Sequence, residues 1–294
     1  MSNIRLSISI ALLFLLAVAD ILHAQQKTST VDPLSACSQK LISYADWPKV
    51  KNPNFSLDIS TPSNARLYYF GAHHSSDPSE KQFAEIEAAW NKIKPTVAFY
   101  EGTNRPIAAT RDETIKQAGE SGFVRFLATR DGVPFISLEP SPQDEARHVL
   151  KSFTVEQVKL FYVLRETARL RDRRKLTEPE LRTAVAQLLE RASKLEGFGD
   201  SITTLEELDA AYRRHWTNPS EWWQAPSKWF DPIASSQTTG GIFTNDINRA
   251  SSEYRNLHMY TLLARAALEG KRAFAVVGRN HVPMQEHALR CALK

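Results

Sequence analysis

The chain has 294 residues, of which 42% are hydrophobic and 24% are charged, and its formal net charge is +4. These values are ordinary for a globular protein, and the length favours a single large α/β domain as the simplest architecture. Positive charges are spread along the chain, and the longest basic run is Arg171-Asp-Arg-Arg-Lys175. A nucleic-acid partner is therefore not implied.

The first 24 residues have the pattern of a secretory signal peptide. Arg5 supplies a positive start, residues 8–18 are an apolar core, and Leu22-His-Ala24 is a cleavage site of the expected kind. A membrane anchor is the alternative, but the apolar run is shorter than the roughly 20 residues of a spanning helix. We expect an exported protein, secreted or periplasmic, with no membrane span after cleavage.

Cys37 and Cys291 are the two cysteines of the chain, and they lie near the ends of the mature sequence. They could remain unpaired thiols. In an oxidising compartment they can instead close a disulfide, and the termini of compact domains often lie close together. We expect the disulfide.

The first convincing structural unit covers residues 67–102. Leu67-Tyr-Tyr-Phe70 is typical of a buried strand, and residues 57–59 before it predict an edge strand. Residues 96–100 predict a further strand. The helix between them is indicated by apolar residues at helical spacing, namely Phe83, Ile86, Trp90 and Ile93. Two strands joined by such a helix should be parallel.

A second crossover helix is predicted over residues 112–130, and a strand follows over 134–138. Within that helix, Gly119-Glu-Ser-Gly122 indicates a helix-breaking turn. Residues 154–214 predict three helices, and residues 274–277 predict a last strand. The whole is predicted as one α/β domain over residues 25–294, with a mainly parallel central sheet flanked by helices and a helical insertion at about 150–240.

Residues 215–230 are rich in tryptophan and interrupted by proline. Two interpretations stay open for this segment. It can be a loop pinned to the core by its indoles, or it can form an aromatic wall of a substrate cleft.

Four polar residues follow directly on predicted strands: His74, Glu101, Glu139 and His281. Ligands of parallel sheets bind at the carboxyl ends of the strands, so we expect these side chains at one edge. Imidazole and carboxylate groups are the usual ligands of a catalytic divalent metal, and without metal they can act as general base and acid. A single loop histidine is more often a local hydrogen-bonding residue, but two Gly-x-x-His motifs in matching settings favour a shared site.

The motifs Gly71-Ala-His-His74 and Gly278-Arg-Asn-His281, together with Glu101-Gly102 and Tyr254-Arg-Asn256, resemble the TraB/TIKI-like superfamily. That group is related to erythromycin-esterase-like and ChaN-like proteins. The similarity covers residues 66–140 and 245–290.

This resemblance implies a secreted or membrane-associated hydrolase, which in TIKI proteins is a metal-dependent protease. By the same resemblance, His74, Glu101 and His281 are expected to hold the metal. Arg255 and Asn256 would orient or neutralise a carboxylate, unless they are a surface pair. His73 duplicates the first histidine, and the motif spacing favours His74 as the inward one.

The leading hypothesis is an exported hydrolase, dependent on a divalent metal, that cleaves a peptide, amide or ester bond in a peptide or small molecule. Glu101 or Glu139 would ligate the metal or take a proton from its bound water. One alternative is an exported haem- or ligand-binding protein of ChaN-like type, with His74 or His281 as axial ligand. The other is a metal-free esterase that uses His74 with a carboxylate partner.

Overall fold

The computed structural model describes residues 33–62, 64–199 and 201–294, so the predicted signal segment lies outside the described residues. Residues Cys37–Lys294 form one compact unit. Cys37 and Cys291 are joined by a disulfide with their Cα atoms 5.6 Å apart, which confirms the predicted bridge. Among the described residues, no helix combines the length and the apolar character needed to cross a membrane.

The central sheet has five strands in the order β1-β2-β5-β3-β4. β1 is antiparallel to β2, and all other neighbours are parallel, as predicted for a mainly parallel sheet with an edge strand at 57–59. β5 comes last in the chain but lies at the centre, between the two strands of the first βαβ unit. The strands are β1 (Ser56–Ser60), β2 (Arg66–Ala72), β3 (Val97–Tyr100), β4 (Phe135–Ser137) and β5 (Arg272–Gly278).

The described residues also form helices and short 3-10 turns, the latter at Trp47–Lys49, Trp222–Gln224 and Ser227–Phe230. The helices are α1 (Pro33–Ser38), α2 (Lys81–Ile93), α3 (Arg111–Arg130), α4 (Pro142–Val149), α5 (Val155–Arg174), α6 (Glu178–Ala192), α7 (Leu205–Arg213), α8 (Ser236–Thr239), α9 (Thr244–Leu268) and α10 (His281–Ala292).

The first turn of α9 is polar and buried. Thr244 Oγ1 donates to the carbonyl of Trp229 at 2.7 Å, and Asn245 Nδ2 donates to the carbonyls of Lys228 and Asp231 at 2.9 Å. Both side chains are fully buried. A hydrophobic pattern cannot reveal such a turn, since loop carbonyls rather than apolar contacts hold it.

α2 and α3 pack on one face of the sheet and form a core with β3 and β5. The predicted face of α2 is buried, and the indole of Trp90 meets the ring of Phe274 in β5 edge to face at 5.2 Å. α9 and α10 pack on strands of the same sheet. These contacts fix the central strand between helical layers, so the residues that follow it are held rigidly.

The helices in the middle of the chain build a second apolar cluster, which the Trp-rich segment completes. The indoles of Trp216, Trp222 and Trp229 are at most 4% exposed. Two of them donate to backbone carbonyls, Trp216 to Gly240 at 2.9 Å and Trp229 to Thr239 at 3.0 Å. The segment is therefore a loop pinned by its indoles, and these three rings do not form a cleft wall.

Candidate active site

Arg255, on α9, joins the two carboxylates that follow strands β3 and β4. Its guanidinium donates to Glu139 through Nε at 2.8 Å and through Nη2 at 2.7 Å, and Nη2 also donates to Glu101 Oε1 at 3.0 Å. The three side chains are 16 to 26% exposed, so the cluster is largely shielded from water. The planar fork of arginine suits this double contact and ties the two strand ends together.

Glu101 is kept ionised by the groups around it. Burial alone would raise its pKa, but His281, Arg255 and the backbone N–H of Gly278 together hold the pKa of this carboxyl well below its usual range. Gly278 N–H donates to Oε2 at 2.6 Å, and His281 Nε2 lies 3.6 Å from Oε1. Glu101 therefore acts as a fixed negative charge at neutral pH.

His281 is the first residue of α10 and is 8% exposed. Its Nδ1 lies 2.6 Å from Asn256 Oδ1, which also accepts from Gln285 Nε2 at 3.1 Å. An amide oxygen only accepts hydrogen bonds, so Nδ1 of His281 donates to Asn256, and Nε2 lies on the side of the ring that faces Glu101. Asn256 is 2% exposed and orients this histidine, so it neither contacts a carboxylate nor lies on the surface.

His74 forms a dyad with Glu120, a residue outside the predicted site. Nδ1 of His74 lies 2.5 Å from Glu120 Oε1. The histidine side chain is 72% exposed and the glutamate 6%, so a buried acid orients an accessible base. The hydrogen bond to Glu120 raises the pKa of His74, against the opposing effect of burial.

A break in α3 at Gly119 puts Glu120 beside His74. Gly119 has φ 57° and ψ −148°, which interrupts the helix where Gly119-Glu-Ser-Gly122 predicts a break. A Cβ on Gly119 would lie 2.8 Å from the carbonyl oxygen of Ser75, so the histidine loop passes directly against this turn. Ser121 donates to the carbonyl of Glu101 at 2.6 Å, which anchors the turn to the end of β3. The sequence feature that could have pointed to Glu120 is an acid between two glycines inside a helical pattern.

The two Gly-x-x-His motifs touch each other at their glycines. A Cβ on Gly278 would lie 3.2 Å from His74 Nε2 and 3.2 Å from Glu101 Oε2, and a Cβ on Gly71 would lie 2.7 Å from the Cα of Arg279. Neither glycine has a positive φ, so the close approach rather than the backbone conformation requires glycine. The Nε2 of His74 and the carboxylate of Glu101 consequently face one small space.

His73 points away from this space. Its Nε2 lies 3.2 Å from Arg279 Nη1, and its backbone N–H and C=O are bonded to the side-chain amide of Gln82 at 3.0 and 2.9 Å. His74 is thus the inward histidine of the pair, as its spacing indicates.

Two of the predicted metal ligands, His74 and His281, each lie near the third, Glu101. In the part of the chain that the structure describes, however, no three His, Cys, Asp or Glu side chains are grouped so that they could hold a metal ion. Both oxygens of Glu101 already accept hydrogen bonds, and the Arg255 guanidinium 3.0 Å away would repel a second cation. The side chains as placed do not fit a metal, so no step is derived through one.

His74, Glu101, Glu120, Glu139 and Arg255 line a cavity of about 1250 Å³ between the sheet edge and the helical segment. Its far wall comes from α5, with Phe230 and Ser227 of the Trp-rich segment contributing to the rim. His281 lies behind Glu101 and does not line it. The volume accommodates a ligand somewhat larger than most drug-sized molecules.

A scan with protein-family models finds no match to the sequence. Searches of curated proteins and of solved structures likewise find no match. The resemblance to the TraB/TIKI-like superfamily therefore stays a prediction.

Proposed function

We propose that the protein is a hydrolase of ester or amide bonds in which His74 is the general base. The observation that carries the proposal is the His74–Glu120 dyad, 2.5 Å long, at the wall of a large cavity. A carboxylate that accepts from Nδ1 fixes the tautomer with a free lone pair on Nε2, which is the form a base requires. The His74 ring is exposed and therefore accessible to a substrate, and the buried Glu120 carboxylate orients that ring.

In the proposed reaction, His74 Nε2 takes a proton from a water molecule as the water oxygen attacks the carbonyl carbon of the substrate. The carbonyl electron pair moves onto its oxygen. When that pair returns, the bond to the leaving alcohol or amine breaks, and the leaving group takes the proton from His74. Glu120 stabilises the imidazolium in between without itself taking the proton.

The test is hydrolysis of p-nitrophenyl esters and of a fluorogenic peptide by the purified mature protein. His74→Ala should lower the rate by at least about a hundredfold, the usual contribution of a positioned base. His73→Ala is the matched control, because the neighbouring ring faces Arg279 instead of the cavity. Full activity in His74→Ala, or equal losses in both variants, would refute the assignment.

The pH profile gives a second readout that a merely structural role would not affect. Because the pKa of His74 is raised above its ordinary value of 6.5, kcat/KM should rise with pH through a midpoint above that value. Glu120→Gln removes the group that raises it, so the midpoint should move to lower pH while the maximum rate falls. An unchanged midpoint would contradict the dyad.

A metal-dependent hydrolase is the second candidate. Its support is the proximity of the predicted ligands: His281 Nε2 lies 3.6 Å from Glu101 Oε1, and His74 shares a space with Glu101, so metal binding would require these side chains to move from their present positions. This candidate expects activity to vanish with a chelator and to return with a divalent metal, and His281→Ala to lose metal without unfolding. Less than about a tenth of an equivalent of metal, with activity unharmed by the chelator, would leave the metal-free reaction.

The alternative of a haem-binding protein of ChaN-like type stays a prediction as well. A Soret band in the mature protein as purified, lost in His74→Ala or His281→Ala, is its expected signature.

A further inference from the structure

The acidic side chains of the cavity already have partners within the fold. Glu101 and Glu139 bind Arg255, Glu120 binds His74, and Glu166 accepts from Arg169 at 2.6 and 2.8 Å. The remaining two, Glu145 and Asp172, accept from hydroxyl groups of Tyr162, Ser251 and Ser227, and Asp172 also from Arg171. The negative charge of the wall is thus locally neutralised or solvated.

Arg125 lines the same cavity and is only 2% exposed, yet the partners it has in the described part of the chain are all neutral. The guanidinium donates to Asn104 Oδ1 at 3.1 Å, to the carbonyl of Ser121 at 3.3 Å and to the carbonyl of Arg105, and it lies 5.1 Å from the ring centre of Tyr100. Burial lowers its pKa. A buried cation without a counter-ion is costly, so a negative ligand would stabilise it.

Arg165, on α5, is a second guanidinium of this kind. It lies over the rings of Phe161 and Tyr162 at 4.8 and 5.2 Å and donates to Asn248 Oδ1 at 3.1 Å. In the described residues it forms no ion pair, and burial lowers its pKa even though Glu145 acts in the opposite direction. The contacts with the two rings restrict the guanidinium, and Arg165 lines the cavity.

Arg173 and Arg105 also line the cavity, and neither is ion-paired among the described residues. Arg173 is two helical turns beyond Arg165, so both lie on the face of α5 that forms the wall. Its charge also acts on His74. The positive surface therefore reaches from the interior to the proposed general base.

We infer that this cavity binds a substrate through an oxyanion group, a carboxylate or a phosphate, held by Arg165, Arg125 and Arg173. Arginine forks match the planar carboxylate and the phosphate oxygens with paired hydrogen bonds. The anionic group would lie on the arginine side, and the bond to be cleaved would lie beside His74. That the bound molecule is a substrate rests on the proposed function, whereas binding of an anion at this site can be measured without turnover.

The test is calorimetric titration of the mature protein with inorganic phosphate and, separately, with succinate, in low salt and with a chelator present. Saturable binding with a dissociation constant of about a millimolar or tighter is expected for at least one of them. Arg173→Gln should weaken that binding about tenfold, the size of one charge-assisted hydrogen bond. Arg173 is exposed, so this variant does not endanger the core.

Arg174→Gln is the matched control, because it removes the same charge from the next residue of α5, which does not line the cavity. Arg165→Gln should weaken binding at least as much as Arg173→Gln, and its fold is checked by its unfolding transition. Binding of phosphate alone or of succinate alone identifies the anionic group. No saturable binding of either, or equal weakening in Arg174→Gln, would overturn the inference. Because no hydrolysis is involved, loss of the base assignment would leave this result standing, and the reverse also holds.

Discussion

Replacing Arg255 by Met tests the ion cluster at the sheet edge most directly. The change removes three hydrogen bonds to carboxylates, two to Glu139 and one to Glu101, and leaves two acids facing each other. Breaking a buried ion pair by removing one partner typically costs about 3–5 kcal/mol. Since the cluster is 16 to 26% exposed, water recovers part of that cost, and we expect about 3 kcal/mol.

The loss should depend on pH, with a sign that follows from Glu101. Its pKa in the folded protein is lowered, so Glu101 stabilises the fold at neutral pH and loses that contribution as pH falls below its ordinary value of 4.5. In Arg255→Met the Glu101 carboxylate lacks its arginine partner. The variant is therefore least stable relative to wild type at neutral pH, where that carboxylate is charged. The difference between wild type and variant should be largest near about pH 7.5 and smaller near about pH 4.5.

Urea denaturation at the two pH values measures both effects. Replacing all three residues together, Arg255→Met with Glu101→Gln and Glu139→Gln, should restore most of the stability, because no charge is then left unpaired. A destabilisation below about 1 kcal/mol at neutral pH would refute the reasoning, because it would be that of an exposed pair. An equal loss at both pH values would refute it as well.

Three further outcomes follow from the same contacts. Replacing both cysteines, Cys37→Ser with Cys291→Ser, removes a disulfide that links residues separated by 254 positions. In the chain-entropy account the free energy of unfolding should fall by about 5 kcal/mol. A loss below about 1 kcal/mol would contradict that account. Gly119→Ala should lower the free energy of unfolding in urea by about 2–4 kcal/mol. The control is Gly132→Ala, which should cost clearly less because Gly132 also has a positive φ but has open space around it. Similar losses in the two variants would mean that only the backbone conformation matters. Gly278→Ala should leave the fold within about 2 kcal/mol but lower hydrolysis by about a hundredfold through a displaced imidazole, and unchanged hydrolysis would show that the close approach is not needed.

Much of the site was predictable because strands and their direction can be inferred from short stretches of sequence. Short apolar runs mark strands, and parallel strands end at the same edge, so His74, Glu101, Glu139 and His281 could be assigned to one edge without knowing the strand order. The inward position of His74 was predictable from the motif spacing, and the disulfide from the location of both cysteines near the ends of the mature sequence. The role of Asn256 was less accessible, since its partner His281 lies 25 residues away on another helix.

Glu120 shows where local patterns stop being informative. Its position depends on the break at Gly119, and that break could be predicted, but the identity of the neighbour across it could not. The loop after β2 meets this turn only because α3 packs on β3 and β5. Arg165 and Arg173 of α5 are similar: their spacing along the helix is visible in the sequence, whereas their lack of a carboxylate partner among the described residues depends on how distant segments pack.

The strands, the helices between residues 81 and 213 other than α4, the parallel character of the sheet and the residue types at the strand ends were accessible from the sequence, because they follow from spacing along the chain. The position of β5 between β2 and β3, in contrast, is visible only in the folded structure. That placement brings Gly278 against His74 and Glu101. Strand order is set by packing between segments about two hundred residues apart, and no local pattern records which of several apolar strands takes the centre of the sheet.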